Sequence, residues 1–207
     1  MDPARFLSLS LSLLLLATLL TACGGAEPRL PRLADGDAVL AFGDSLTYGV
    51  GASPDQAYPA VLQALIGKPV VNAGVPGETT GEGLKRLPQA LDEHQPKILL
   101  LCLGGNDRLR RLPAAETAAN LRAMVALARE RGVAAVLIGV PEPRLFGGAP
   151  AFYETIAEEF GLPYESKIMD EVLRDPSLKS DVIHANAAGY RRIAEALAAQ
   201  LRDAGAV

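Results

Sequence analysis

The sequence predicts an α/β sandwich in which a parallel sheet is covered by helices on both faces. Three observations carry this. Short uninterrupted apolar runs recur along the chain, as fully buried parallel strands require. Segments with apolar residues at helical spacing separate them, so the strands are joined by crossovers rather than hairpins. The runs also end abruptly on glycine and polar residues, the pattern of strands that open into loops at one edge of a sheet. Right-handed crossovers then give three layers, α/β/α. The 207 residues fit one domain, and no internal repeat divides them.

The first strand is read over 38–43, where Ala38-Val39-Leu40-Ala41-Phe42-Gly43 runs into Asp44-Ser45. Ser53-Pro54-Asp55 opens a helix, with Ser as cap, Pro in the first turn and an acid at the positive end. Tyr58, Val61, Leu62 and Leu65 give it one apolar face, and Gly67 closes it. Val70-Val71 is a short second strand ending in Asn72-Ala73-Gly74. A helix over 80–93 carries Leu84, Leu87 and Leu91, and Pro88 is expected to kink or split it. The third strand, 97–103, ends in Gly104-Gly105-Asn106-Asp107. Pro113 opens a long helix with Leu121, Met124, Val125 and Ala128, which stops at Gly132. The fourth strand covers 133–140 and is followed by a Pro/Gly-rich loop over 141–150. Then come a helix over 151–160, a short fifth strand over 162–165 and a short helix over 167–174. Asn186 can cap a last helix that aligns Tyr190, Ile193, Leu197 and Leu201.

Composition excludes several classes of function. The net charge is −4 with acids and bases interspersed, so no basic footprint for nucleic acid exists. Tryptophan is absent and aromatics are 5% of residues, which argues against a base-stacking platform. Two distant histidines, His94 and His184, and two cysteines offer no metal-ligand cluster, and no cofactor is expected.

Residues 1–22 read as an export signal: Arg5 begins it, an apolar stretch over 6–20 follows, and small residues end it. Leu20-Thr21-Ala22-Cys23 resembles a bacterial lipobox, which implies a lipidated Cys23. Residues 23–36, with Gly24-Gly25 and two prolines, then read as the lipidated cysteine and its tether, and 37–207 as the single domain. The implied location is the periplasmic face of a bacterial membrane, with Gly24 after the cysteine resembling an outer-membrane address. Cys102 lies inside the third apolar run and is expected to be a buried structural thiol. With one cysteine left in the domain, no internal disulfide is available.

Three strand ends carry small or polar residues, at Ser45, Gly74 and Asn106, and a parallel sheet brings such ends to one edge. A fourth segment, Asp181-Val182-Ile183-His184, precedes the last helix. His94 sits between a helix and a strand and reads as a solvated loop residue. If Ser45 has a histidine base, His184 is the candidate, and Asp181 is close enough in the loop to orient it.

These motifs resemble the blocks of the SGNH, or GDSL, hydrolase family across the whole mature domain, and most closely its branch of bacterial thioesterases, lysophospholipases and arylesterases. Gly43-Asp44-Ser45-Leu46 resembles the first block, Asn72-Ala73-Gly74 the second, Gly104-Gly105-Asn106-Asp107 the third and Asp181-Val182-Ile183-His184 the last. The resemblance implies a flavodoxin-like sheet of five parallel strands. It implies Ser45 as nucleophile, His184 as base and Asp181 as its partner. It also implies an oxyanion hole built from the amides of Ser45 and Gly74 and the side chain of Asn106. The implied activity is hydrolysis of carboxylic esters or thioesters, such as aryl esters, acyl-CoA-like thioesters and lysophospholipids, through an acyl-Ser45 intermediate. Asp44 and Asp107 are expected to organise loops, and residues 108–112 and 141–150 to shape an acyl pocket. Ala185 departs from the branch, which commonly has proline after the histidine; this could loosen the His184 loop.

Other readings remain open on sequence alone. The same fold and triad would serve a deacetylase of cell-wall or exopolysaccharide sugars, although few aromatics are available to stack on sugar rings. A nucleotide- or flavin-binding module is a second, but Gly49-Val50-Gly51 lacks the third glycine of a dinucleotide fingerprint. A non-catalytic, flavodoxin-like binding lipoprotein is the third.

Overall fold

A computed structural model of the chain describes residues 28–142 and 148–207. In chain order these residues form β1 Val39–Gly43, α1 Ser45–Tyr48, α2 Tyr58–Ile66, β2 Val70–Gly74, α3 Thr80–His94, β3 Ile98–Cys102, α4 Gly105–Leu109, α5 Ala114–Glu130, β4 Ala134–Ile138, α6 Phe152–Phe160, β5 Tyr164–Glu165, α7 Ile168–Arg174 and α8 Ala187–Asp203. The stretch read as an export signal, Cys23 and part of the loop over 141–150 lie outside the described residues.

The strands form one parallel sheet in the order β2-β1-β3-β4-β5. The chain winds outward from β1 to β2, then crosses back to β3 on the other side of β1. That reversal, between β1 and β3, is the crevice where doubly wound sheets bind ligands. It also sorts the helices: α2 packs with α8 on one face, while α3, α5 and α6 pack together on the other. The five-stranded flavodoxin-like order is therefore the one expected. Every residue of β1 and β3 is buried, which explains their unbroken apolar sequences. β2 is an edge strand and is more open, so it tolerates Asn72. Cys102 is buried and unpaired, as expected.

Register sets the site. Gly43 lies beside Gly74 on one side and beside Cys102 on the other. The residues that follow these three strands therefore emerge level with one another at the C-terminal edge.

Three local expectations are corrected. The Ser53 cap serves only a 3-10 turn, Pro54–Gln56, and extended Ala57 separates it from α2. Pro88 neither splits nor ends α3, which runs unbroken from Thr80 to His94. Thr79 and Glu82 form a capping box at its start, and Gly83, Leu87, Ala90 and Leu91 bury one face. That burial outweighs the one hydrogen bond that proline cannot donate.

The third correction concerns the tether. Its described part is docked on the domain. Leu30 and Leu33 are buried, and their amides donate to the carbonyls of Ala204 and Ala206 at 2.9 and 2.8 Å. These contacts lie beyond the end of α8, at the edge of the sheet where the strands begin.

Candidate active site

The first strand turn explains the Gly-Asp-Ser sequence residue by residue. A Cβ on Gly43 would collide with the Thr47 side chain and the Cys102 carbonyl, so only glycine lets α1 fold back against the sheet. Asp44 caps α1: its Oδ1 accepts from the Leu46 amide at 3.0 Å. Ser45 is the first residue of α1. Its N–H has no partner within the helix and points with the positive end of the helix. Thr47 Oγ1 and the buried Tyr58 hydroxyl, 3.1 Å apart, hold α1 onto α2.

His184 arrives from the other side. Its Nε2 lies 3.0 Å from Ser45 Oγ, and its Nδ1 lies 2.7 Å from Asp181 Oδ2. Asp181 Oδ1 also accepts from the amides of Ile183 and His184, both at 2.9 Å. The hydrogen bond from His184, followed by that from the Ile183 amide, holds the Asp181 carboxyl below the usual carboxylate range. Asp181 therefore stays ionised and fixes the proton on Nδ1, which leaves Nε2 free to accept.

Hydrogen bonds on both sides of Ala185 hold this loop. The Ser180 amide donates to the His184 carbonyl at 3.1 Å, and the Asn186 amide to Leu178 O at 2.9 Å. Asn186 Nδ2 reaches the carbonyls of Ser177 and Lys179 at 2.8 and 3.2 Å, while Oδ1 caps α8 through the Gly189 amide at 3.0 Å. One asparagine thus ties both arms of the loop to the helix. The Tyr190 hydroxyl, on the next turn of α8, donates to Val50 O at 2.7 Å and locks the His184 side to the Ser45 side. His94 is the last residue of α3, not a loop residue. It lies just before β3, at the opposite edge of the sheet from Ser45.

Asn106 sits in α4, directly after β3. Its Nδ2 donates to Asp44 Oδ2 and to the Glu78 carbonyl, each at 3.1 Å. The amide is thus held beside the residue that precedes Ser45. Asp44 is 2% exposed, and burial pushes its carboxyl up to about 6, against the opposing pull of the Leu46 amide. Asp107 is buried too and plays a structural part: its carboxylate accepts from Thr80 N at 2.8 Å, Thr80 Oγ1 at 2.5 Å and Thr117 Oγ1 at 3.3 Å. It joins the N-terminus of α3 to α5, as loop organisation requires.

Gly74 departs from expectation. Its N–H donates to Asn72 Oδ1 at 3.0 Å, while Asn72 Nδ2 donates to Tyr48 O at 3.2 Å. The Gly74 amide is thus engaged within β2, while Asn72 ties β2 to α1. A second glycine, Gly77, which sequence reasoning did not single out, follows in the loop after β2. It has φ +82° in a turn closed by the Glu78 amide on Val75 O at 3.1 Å. Its own N–H meets no acceptor among the described residues. The next carbonyl, Glu78 O, is the one that Asn106 holds. The signal was Pro76-Gly77, the middle pair of a type II turn that demands positive φ at its third position.

Buried charge supports this turn. Arg86 forms a two-pronged pair with Glu78, Nε to Oε1 at 2.7 Å and Nη2 to Oε2 at 2.6 Å, and donates to Ala73 O at 3.0 Å. Its guanidinium lies 3.9 Å over the Phe42 ring. Glu78 is thus buried with a fully matched partner, the condition under which a buried ion pair is tolerable. On the far side, Arg108 pairs with Glu142 at 2.8 Å and links α4 to the loop after β4.

Known proteins match both the sequence and the fold. The family model described as "GDSL-like Lipase/Acylhydrolase family" matches residues 41–192. The chain is 35% identical over 179 residues to the thioesterase 1/protease 1/lysophospholipase L1 of Escherichia coli K12, covering 83% of this chain and 86% of that protein. It is 31% identical over 176 residues to an arylesterase of Vibrio mimicus, covering 80% and 88% respectively. The crystal structure of TesA superposes with a TM-score of 0.74 at 29% identity, covering 81% of this chain and 99% of that one. With the family model spanning most of the chain, and with these relatives aligned over most of their own length, the protein belongs to the GDSL-like lipase/acylhydrolase family.

Proposed function

We propose that the chain is a serine hydrolase that cleaves carboxylic esters and thioesters through an acyl-Ser45 intermediate. One observation carries the reading: Ser45, His184 and Asp181 form an unbroken hydrogen-bonded relay at the sheet's switch point. Relatives named as a thioesterase, an arylesterase and an esterase support the same chemistry.

The proposed steps start from that relay. Ser45 Oγ attacks the carbonyl carbon as its proton moves to His184 Nε2. The carbonyl oxygen becomes an oxyanion. As the tetrahedral centre collapses, the bond to the leaving oxygen or sulfur breaks and His184 returns the proton to it. Water then repeats the sequence on the acyl-serine: its proton passes to Nε2, the acid is released and Ser45 regains the proton. Asp181 remains charged throughout and stabilises the imidazolium. The Ser45 amide, Asn106 Nδ2 and the Gly77 amide supply the oxyanion hole, with Gly77 replacing Gly74. In the resting site both Asn106 amide protons are engaged, so one exchanges its partner for the oxyanion as charge develops.

A fluorophosphonate probe tests the reading. Covalent labelling of Ser45 in wild type, lost in Ser45→Ala, is expected together with hydrolysis of nitrophenyl esters and acyl thioesters. Folded protein that cleaves esters without labelling at Ser45 overturns the assignment.

The lipobox-like Leu20-Thr21-Ala22-Cys23 supports a second part of the proposal: export, and anchoring to a membrane through a lipid on Cys23. Metabolic labelling with a fatty acid in a bacterium should mark the full chain and spare Cys23→Ala. A labelled Cys23→Ala protein overturns the anchor.

A further inference from the structure

The turn that carries Gly77 has a second restraint that the acyl-transfer steps leave unexplained. Asn106 and Arg110 stand one helical turn apart, with the Arg110 amide bonded to Asn106 O at 2.9 Å. Their side chains reach two consecutive carbonyls of the opposite loop. Arg110 Nη2 donates to Gly77 O at 2.6 Å, and Asn106 Nδ2 donates to Glu78 O at 3.1 Å. The pairing is a two-point staple between α4 and the loop over 75–79.

We propose that Arg110 is a positioning residue for the oxyanion hole: it pins the Gly77 peptide against α4, so that the Gly77 N–H and the Asn106 amide converge on one point. The inference rests on the acyl-transfer reading of the site. Gly77 has positive φ and no side chain, and apart from the turn bond of the Glu78 amide to Val75 O nothing local holds the peptide that carries its carbonyl. The Arg86–Glu78 pair grips the loop through a side chain, one residue further along. Only Arg110 grips the Gly77 carbonyl among the described residues. The Gly77 amide belongs to the preceding peptide, so Arg110 acts on its direction and not on its acidity. An oxyanion hole stabilises charge to the extent that its donors are aimed before the charge appears. A donor on a loosely held turn must be oriented during the reaction, and that cost falls on the transition state alone.

Arg110 is half exposed and also lies 3.7 Å from Glu82. Two other roles are therefore separable: a surface ion pair with α3, or an attraction for anionic substrates. The experiment compares wild type, Arg110→Ala, Arg110→Lys and Glu82→Gln on a neutral nitrophenyl ester. kcat, KM, melting temperature and the rate of fluorophosphonate labelling are measured for each. Arg110→Ala is expected to lower kcat and the labelling rate by about tenfold or more, less than the roughly 100- to 1,000-fold typical of deleting a donor outright. KM should stay within about twofold, because the lost interaction serves the transition state. Arg110→Lys keeps one donor and should recover several-fold of the loss. Glu82→Gln keeps the oxygen of the Thr79 capping box, removes the charge and should match wild type. The proposal is overturned if folded Arg110→Ala keeps wild-type kcat, if the loss lies in KM, if lysine recovers nothing, or if Glu82→Gln reproduces the defect. A wild-type protein that neither turns over nor labels would instead overturn the acyl-transfer reading beneath it.

Discussion

His184 Nε2 lies 3.0 Å from Ser45 Oγ although 139 positions of chain separate the two residues. Nothing local joins them. The contact exists because β1 delivers Ser45 to the C-terminal edge of the sheet, and because α8, packed on α2, begins at that same edge. His184→Ala should therefore abolish nearly all turnover. The pH dependence of hydrolysis should go with it, since only neutral imidazole can take the serine proton. His94→Ala should keep both, because His94 lies at the other edge. Rate profiles of the two variants against pH check the contrast.

Asn106→Ala should lower kcat by roughly 100- to 1,000-fold with little change in KM. The residue also holds Asp44 and Glu78, so melting temperature must be measured beside kcat. A loss of activity that merely follows a loss of folded protein would make Asn106 a turn residue.

Asp44 makes stability fall with rising pH. An unfolded aspartate ionises near 3.9, whereas burial pushes Asp44 up to about 6. Between those values the folded state keeps a proton that the unfolded state has lost. The stabilisation is complete below about pH 4 and is gone above about pH 6, a change of about 3 kcal/mol at most. Asp181 works in the opposite sense, since its lowered carboxyl adds stability above the unfolded value that is lost as pH falls. Urea titrations at several pH values should show a flatter profile between about pH 4 and 6 in Asp44→Asn than in wild type.

Gly43→Ala should prevent folding or cost several kcal/mol, because the new methyl would occupy the space of the Thr47 side chain and the Cys102 carbonyl. Overpacking of a tight core typically costs about 1–3 kcal/mol, and here one obstacle is backbone in the central strand. Gly132→Ala, with nothing near its Cβ, is the control for a steric effect, although its positive φ carries a small cost. Soluble yield and urea midpoint distinguish the two.

The sheet was legible because buried parallel strands leave long apolar words in the sequence, such as Ile98-Leu99-Leu100-Leu101-Cys102. The positions of Ser45, Asn106 and the Asp181–His184 segment followed from strand ends and motif order. The short helices α1 and α4 were not legible. With four and five residues, they show no period, and tertiary contacts alone hold them. Gly77 was not singled out, and Gly74 was read as the donor because a strand-end glycine is conspicuous. Asn72, which takes up its amide, could be recognised only once β2 and α1 were seen side by side. Pro88 misled because sequence shows the missing donor but not the packing that makes up for it.

If Cys23 carries a lipid, the docking of Leu30 and Leu33 sets which way the rim with Ser45 faces. The described chain enters the domain where the strands begin, at the pole opposite Ser45. From Cys23 to Pro28 the backbone spans at most about 18 Å when fully extended. That is about the length of one five-residue strand, and too little to wrap the domain. An acyl group on Cys23 would hold the molecule with its serine turned outward, like a lamp on a short post. Headgroups of the carrying leaflet would then lie out of reach, and esters would have to arrive through the water or from a surface facing it.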